Sequence, residues 1–369
     1  MLEASPSPER SPSQALVRPL VLGIETSCDD TACALLDGQG RALASVVSSQ
    51  LAAHRPYGGV VPEIASREHL AGWPQVSAEA LQRAGVPLAE VDVVAATRGP
   101  GLVGSLLVGL SLGKAIAFAL GRPFHAVHHL EGHLYSPYLR LDGEPSAPVP
   151  ERFVGLVVSG GHTSLFQVDG GQVTTLGETR DDAMGEVFDK VGKRLGLPYP
   201  QGPLVDQLAE TGNADAHPMP VARCGDTLDF SYSGLKSQTL VEIEKLERQG
   251  IESQLTERTL TDQDGAAEIL NLLAGFRAAA VEQILERLRV LHQREPIEKL
   301  AVSGGAAANR RLRRRLQRWA DDEGIELALV PLAYAGDNAA MIAHAALLRH
   351  RLGLQDDPIT AEAASRIPL

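Results

Sequence analysis

Short apolar runs recur along this chain, each closing on a polar or glycine-rich stretch. Residues 19–25 (PLVLGIE) lead into TSCDDT, and ACALLDGQGRALAS (32–45) then predicts two strands around a turn at Asp37–Gly40. Helical periodicity covers 69–83, VDVVAAT (91–97) predicts a buried strand, and a GPG turn at 99–101 precedes an apolar helix over 102–121. A proline-rich link, EPSAPVP at 144–150, marks a domain boundary. The opening pattern then returns. FVGLVVS (153–159) runs into Gly160 and Gly161, and LAVS (300–303) runs into Gly304 and Gly305. Between them, residues from about 206 to 294 are mostly helical by periodicity. Alternating strands and helices predict an α/β fold, and two halves that open alike predict a duplicated domain.

A length of 369 residues suits two domains, and an aromatic content of 4% requires aliphatic cores. The net charge of −12 opposes nucleic-acid binding over the whole surface, so an RNA substrate would need a local basic patch or a partner. Cys28, Cys33 and Cys224 have neither metal nor redox spacing, which points to a reducing cytoplasm. Residues 1–18, rich in Ser and Pro, read as a flexible tail and not a signal peptide. The 102–121 segment has nearly the length of a membrane span, but Lys114 and three glycines (104, 109 and 113) interrupt it, and no basic flank orients it. A helix buried between protein layers, with glycines allowing close backbone approach, is the expectation.

SGGHT (159–163) and SGGAAAN (303–309) both follow buried-strand patterns. Paired glycines let backbone N–H groups converge on an anion, and a helix starting near Ala306 would add its dipole. Neither loop is a Walker P-loop or a dinucleotide fingerprint. Either one alone could be a plain tight turn; with TSCDDT in the corresponding place of the first half, phosphate binding becomes the better reading.

His129 and His133 lie four residues apart, which on a helix stacks both imidazoles on one face. The spacing alone fits a polar helix face equally well. It is not HExxH, because the acidic residue is third in the spacer, so a metalloprotease lacks its general base. Asp337, at the apparent start of a helix in GDNAAMIA, is the third ligand candidate. Two histidines and one carboxylate leave coordination positions open and suit Fe2+ or Zn2+ better than Mg2+.

Further ordered motifs join these: GIETSCDDTA (23–32), YGGVVPEIASREH (57–69), GPGLVGSLLVGLSLGKA (99–115) and HHLEGH (128–133). VVSGGHT (157–163), DDAMGEVFDKVGKRLGLPYPQGP (181–203), DFSYSGLK (229–236), SGGAAANRRLR (303–313) and GDNAAMIA (336–343) complete the set. In this conjunction the chain resembles the bacterial tRNA threonylcarbamoyl transferase family over about residues 20–345.

The resemblance implies an actin-like ATPase (ASKHA) fold of two duplicated RNase H-like domains with a nucleotide cleft between them. The first would span 19–145, completed by about 340–369, and the second 151–339, with a helical insertion at about 206–294. The implied activity moves a threonylcarbamoyl group from its adenylate to N6 of adenosine 37 in tRNAs reading codons that begin with A, releasing AMP. The implied metal ligands are His129, His133 and Asp337, holding one divalent ion per subunit, Fe2+ ahead of Zn2+. Implied substrate contacts are Val157, Val158, Ser159, Gly160, Gly161, Asp189, Gly202, Asp206 and Asn309, and Glu25 is implied in turnover as a candidate catalytic residue. Each also has a plainer reading: Asp189 as a surface charge, Asp206 as a solvated carboxylate, Asn309 as a helix cap, Glu25 as a partner for a nearby base. Asp30 stands where the family has Glu, and Gln201, where it has Gly, could narrow the pocket beside Gly202. Implied partners are tRNA, threonylcarbamoyl-AMP, an inactive paralogue of the same fold and a small P-loop ATPase, in the cytoplasm and away from membranes. The six arginines of NRRLRRRLQR (309–318) could grip tRNA phosphates or line a solvated helix. An actin-like kinase would share the fold but need no histidine cluster, and a non-catalytic scaffold would bind adenylate without transfer.

Overall fold

The computed structural model describes residues 16–141, 143–255, 263–354, 357 and 360–369. Most of the expected tail thus lies outside the described residues; of its last part, Arg18 is held to Asp92 at 2.7 Å. The chain divides into two compact units, Met1–Pro150 with Val330–Leu369, and Glu151–Leu329.

The first unit is built on strands β1 (Val21–Glu25), β2 (Asp30–Leu36), β3 (Ala42–Ser49), β4 (Val93–Gly99) and β5 (Phe124–His128). They lie in the order β3-β2-β1-β4-β5, antiparallel at β1–β2 and β2–β3 and parallel at β1–β4 and β4–β5. Its helices are α1 (Leu51–His54), α2 (Pro62–Ala84), α3 (Val103–Leu120), α4 (His129–Tyr135) and, from the end of the chain, α10 (Ala339–Arg351). Both faces of β1 are covered, which is why it reads as a continuous apolar run and not an alternating one. Leu22 and Ile24 join a core cluster with Val76 and Ala80 of α2 and Leu110 of α3. Gly23 faces the other way, where a Cβ would lie 2.3 Å from the Ala339 carbonyl of α10. Only glycine lets that helix seat so closely. Residues 330–339 group with the first unit, so the division falls before the boundary expected at 339.

Helix α3 is long and apolar enough to span a membrane by length and composition. Its glycines do seat it tightly: a Cβ on Gly109 would lie 2.3 Å from Thr26 Oγ1, and one on Gly113 2.9 Å from the Phe124 ring. The expected burial between two layers holds for this face alone. On the other face Leu107 is 50% exposed and Phe118 78%, and Leu70 of α2, beside Leu107, is 62% exposed.

The second unit repeats the plan with β6 (Arg152–Val158), β7 (Thr163–Asp169), β8 (Gln172–Glu178), β9 (Lys299–Ser303) and β10 (Glu326–Leu329). Its order, β8-β7-β6-β9-β10, with the same antiparallel and parallel neighbours, matches the first sheet strand for strand. Its helices are α5 (Met184–Arg194), α6 (Gln201–Leu208), α7 (Ser233–Arg248), α8 (Gln263–Arg294) and α9 (Arg310–Glu323). The segment expected to be helical carries α7 and α8; residues 256–262 of it lie outside the described residues.

Candidate functional site

The histidine group forms where β5 runs directly into α4. His128 Nδ1 accepts the Leu130 N–H at 3.2 Å and so caps the helix that the next residue begins. One turn along, His129 and His133 share a face, their rings perpendicular with centroids 4.7 Å apart. Gly132 lets α10 approach this turn, since a Cβ there would lie 2.9 Å from Ile342 Cδ1. Asp337 sits just before α10, not within it. Asn338 is the cap, accepting the Met341 N–H at 2.9 Å, and its amide donates to the carbonyls of Tyr334 and Gly336, fixing the turn that presents Asp337.

Asp337 Oδ1 lies 3.2 Å from His133 Nε2 and 3.5 Å from His129 Nε2. The three donor atoms lie within 4.8 Å of one another, with both histidines buried and Asp337 half-buried. The far side of His129 sets the orientation of its ring. Its Nδ1 is 3.2 Å from Glu25 Oε2 and 3.3 Å from Ser27 Oγ, so Nδ1–H donates to the carboxylate and Nε2 turns to Asp337. Glu25, at the end of β1, is wholly buried. It accepts from Thr97 Oγ1 at 2.6 Å and from the Ser27 N–H, so both of its oxygens are engaged. Burial pushes the Glu25 pKa up, but His129 outweighs burial and holds it below the usual carboxylate value. Burial likewise lowers His129, but Asp337 and Glu25 together raise it to about 9. Burial keeps His133 below the ordinary histidine value. Asp30 is pushed up to about 7 by burial, with Asp29 and Asp337 adding to the effect. Glu131, the acidic residue between the histidines, is bound by Arg349 at 3.1 Å, which removes it as a water-activating base.

The second unit holds the remaining residues of interest. Val157 and Val158 are wholly buried in β6, so only their backbone could serve a ligand. Beyond them Ser159 Oγ accepts from the N–H groups of Gly161 (3.3 Å) and His162 (3.1 Å), shaping the turn. A Cβ on Gly160 or Gly161 would meet nothing within 4 Å, so both face open space. Gly304 is glycine for a different reason: its φ is +92° and a Cβ would lie 2.3 Å from the Val158 carbonyl. No α-helix starts near Ala306. A 3-10 turn over Gly305–Ala308 comes first, and Asn309 Oδ1 then caps α9 by accepting the Leu312 N–H at 2.9 Å.

Asp189 and Gly202 meet, the carboxylate accepting the Gly202 N–H at 2.7 Å. Asp206 is buried, not solvated: Oδ1 pairs with Arg277 at 3.2 Å and Oδ2 accepts the Arg310 N–H at 3.1 Å. Gln201 is buried, its Cβ packed against Gly192. Arg277 itself, buried on α8, carried no sequence signal that set it apart from a surface helix charge.

The arginine helix α9 is amphipathic, burying Leu312, Leu316 and Trp319. Arg314 is tied to Glu210 at 2.8 Å and Arg315 to Glu282 at 2.9 Å, while Arg310 and Arg318 are exposed. The basic stretch is thus partly neutralised by the unit's own carboxylates.

Residues 41–344 match the family described as TsaD, tRNA N6-adenosine threonylcarbamoyltransferase. A protein of that description from Pelobacter propionicus is 47% identical over 326 residues, covering 88% of this chain and 90% of its own. Another, from Rhizobium meliloti, is 46% identical over 362 residues, covering 95% of each. Among solved structures, HypF of T. kodakarensis aligns with a TM-score of 0.57 at 13% identity, covering 94% of this chain and 49% of that one. Component A of the Acidaminococcus fermentans (R)-2-hydroxyglutaryl-CoA dehydratase aligns at 0.51 and 14%, covering 92% of this chain and 100% of its own. At such identities these two structures speak for the fold alone, that of the ASKHA proteins.

Proposed function

This chain belongs to the tRNA N6-adenosine threonylcarbamoyltransferase family, and from that premise we propose how its own residues carry the reaction. The enzyme forms N6-threonylcarbamoyladenosine at position 37 of tRNA. With threonylcarbamoyl-AMP as donor, the adenine N6 amine attacks the carbamoyl carbon. The bond from that carbon to the phosphate oxygen breaks, AMP leaves with the electron pair, and N6 releases one proton to the solvent.

The adenylate is assigned to the second unit. Gly160 and Gly161 leave room for its phosphate with no Cβ in the way, and Val157, Val158 and Ser159 form the strand end and turn that hold them. Asp189 and Gly202 are a second polar point for the ribose or base, and Asp206 and Asn309 shape the start of α9. His129, His133 and Asp337 would hold one divalent ion, Fe2+ with Zn2+ as the alternative, through two Nε2 atoms and a carboxylate. When bound, that ion supplies positive charge to an oxygen that gains negative charge in the transfer. Glu25, ionised and with both oxygens taken, orients His129 and is not assigned as the base that removes the N6 proton.

Partners and location complete the proposal. Three free cysteines suit a reducing cytoplasm. The exposed apolar stripe of Leu70, Leu107 and Phe118 suits an inactive paralogue docking through the same pair of helices. Exposed Arg310 and Arg318 suit tRNA phosphates. A small P-loop ATPase is the third partner.

The observation that carries the assignment is the convergence of three donor atoms within 4.8 Å, backed by Glu25 on the far side of His129. Replacing His133 by Ala tests it. Bound metal, read by elemental analysis, should fall and modification should stop while the melting curve holds. Full metal with full activity would refute the site, and lost metal with global unfolding would make the ion structural.

A further inference from the structure

The Thr26–Asp29 loop, between β1 and β2, carries Ser27 against His129 Nδ1. Three consecutive carbonyls of this loop are each pinned by a donor from a different element. The Ser27 carbonyl accepts the Leu102 N–H at 2.8 Å, and the Asp29 carbonyl accepts the Gln50 N–H at 3.0 Å. Both of those donors are backbone. The Cys28 carbonyl alone is held by a side chain, His69 Nε2 of α2, at 3.1 Å.

His69 is wholly buried, as are Thr31, Gln50 and His54 around it. These groups form a chain in which the protons of both histidine rings can be placed. The Val61 N–H donates to His54 Nδ1 at 3.3 Å, so His54 carries its proton on Nε2 and gives it to Gln50 Oε1 at 3.1 Å. The Gln50 amide can then only donate, to the Ala65 carbonyl at 3.3 Å and to His69 Nδ1 at 3.1 Å. Thr31 Oγ1 lies 2.7 Å from that same Nδ1. His69 Nδ1 is therefore the acceptor and Nε2 the donor, as the Cys28 carbonyl requires. The opposite tautomer would set a bare ring nitrogen against a carbonyl oxygen.

We propose that His69 is a positioning residue for the transfer reaction: its Nε2–H bond to the Cys28 carbonyl fixes the Thr26–Asp29 loop against His129. The proposal rests on the reading of the His129 group as the reaction centre. A plain core histidine would need its polar atoms satisfied, but not by the loop that touches a proposed metal ligand. Burial lowers the His69 pKa, so the ring stays neutral and holds one tautomer. A loop displaced by a fraction of an ångström would shift Ser27 and with it the orientation of His129.

Glutamine and asparagine at position 69 separate this role from simple packing. A glutamine amide N–H reaches about as far as Nε2, whereas asparagine, one methylene shorter, reaches only as far as Nδ1. In a tRNA modification assay with supplied threonylcarbamoyl-AMP, H69Q should keep most of kcat. H69N and H69L should lower kcat by about ten-fold or more, with KM for tRNA little changed, because misplacement acts on the chemical step. Equal kcat across the three variants, or losses that follow only their melting temperatures, would overturn the proposal. NMR of the wild-type chain labelled with 15N-histidine gives a second reading that needs no variant. The Nε2–H tautomer is expected at His69, and the Nδ1–H tautomer or an imidazolium would overturn the proposal. H133A run alongside keeps the two ideas apart. Retained activity in H133A with a graded series at position 69 would count against the metal reading alone. An inactive H133A with an ungraded series would count against this proposal alone.

Discussion

Around His129 the polar side chains of the first unit converge on one point, with three donor atoms together and a buried carboxylate behind them. Around Gly160 and Gly304 the polar side chains of the second unit turn back into the fold. Ser159 bonds its own turn, Asn309 caps α9, and Asp206 is shared between Arg277 and the start of that helix. What remains for a ligand there is backbone and open space. The contrast follows from the two jobs. A cation needs lone pairs at fixed distances, which side chains provide, whereas a phosphate is well served by N–H groups that every residue carries. A polar substitution around His129 should therefore damage chemistry, and one around Gly160 and Gly304 should damage stability.

Asp206→Ala is the strongest way to break that contrast. It leaves Arg277 buried with Glu210 as its one remaining carboxylate among the described residues, so unfolding free energy should drop by about 3 kcal/mol in denaturant titration. Unchanged stability with lost adenylate binding would instead make Asp206 a ligand contact and level the two units.

Acid stability sharpens the contrast next. His344 on α10 is wholly buried in the first unit, and burial holds its pKa down to about 4. Its folded value lies below the unfolded value of about 6.5, so at lower pH the unfolded chain binds the extra proton. Stability is present in full above that value and is lost as pH falls towards 4, by up to roughly 3 kcal/mol for this one group. His344→Leu should flatten the acid limb of a stability–pH curve. An unaltered limb would show that His344 does not govern the acid response.

Glu25→Gln keeps the shape of the side chain but removes the charge behind His129. Metal affinity and modification should each fall by about 10- to 100-fold while the fold is retained. Wild-type metal affinity in E25Q would separate Glu25 from the ligand group. The smallest effect is expected on α9, where Arg310 and Arg318 are exposed and the neighbouring arginines are partly tied down. Arg310→Glu with Arg318→Glu should weaken tRNA binding modestly and reduce the salt slope by about one per lost phosphate contact. Identical affinity across a salt titration would return the helix to ordinary solvated surface.

Much of this was legible in the primary structure because it rests on local patterns. Buried strands such as 153–158 announce themselves as apolar runs, and His129 and His133 announce themselves by an i, i+4 spacing that α4 realises directly. Gly304 was legible as part of a pair, yet the reason for it, a Val158 carbonyl from a distant strand, was not. Burial was the hardest property to read. Asp206 and Arg277 are separated by 71 residues and each alone resembles a surface charge; only their meeting makes both buried. Helix α3 misled in the other direction, since an apolar composition all round predicted two covered faces where one is covered.

By itself, then, the order of residues determined the strands, the helices, the repeated opening of the two halves and the ligand-type side chains, because each of these depends on neighbours within a turn or a strand. Tertiary structure alone decided which groups share a proton or a charge. The orientation of His129, the ionised state of Glu25 and the His54–Gln50–His69 chain are all set by partners brought from other elements. Hydrogen bonds and electrostatic fields fall off within a few ångströms, so no sequence distance predicts them until the chain has folded.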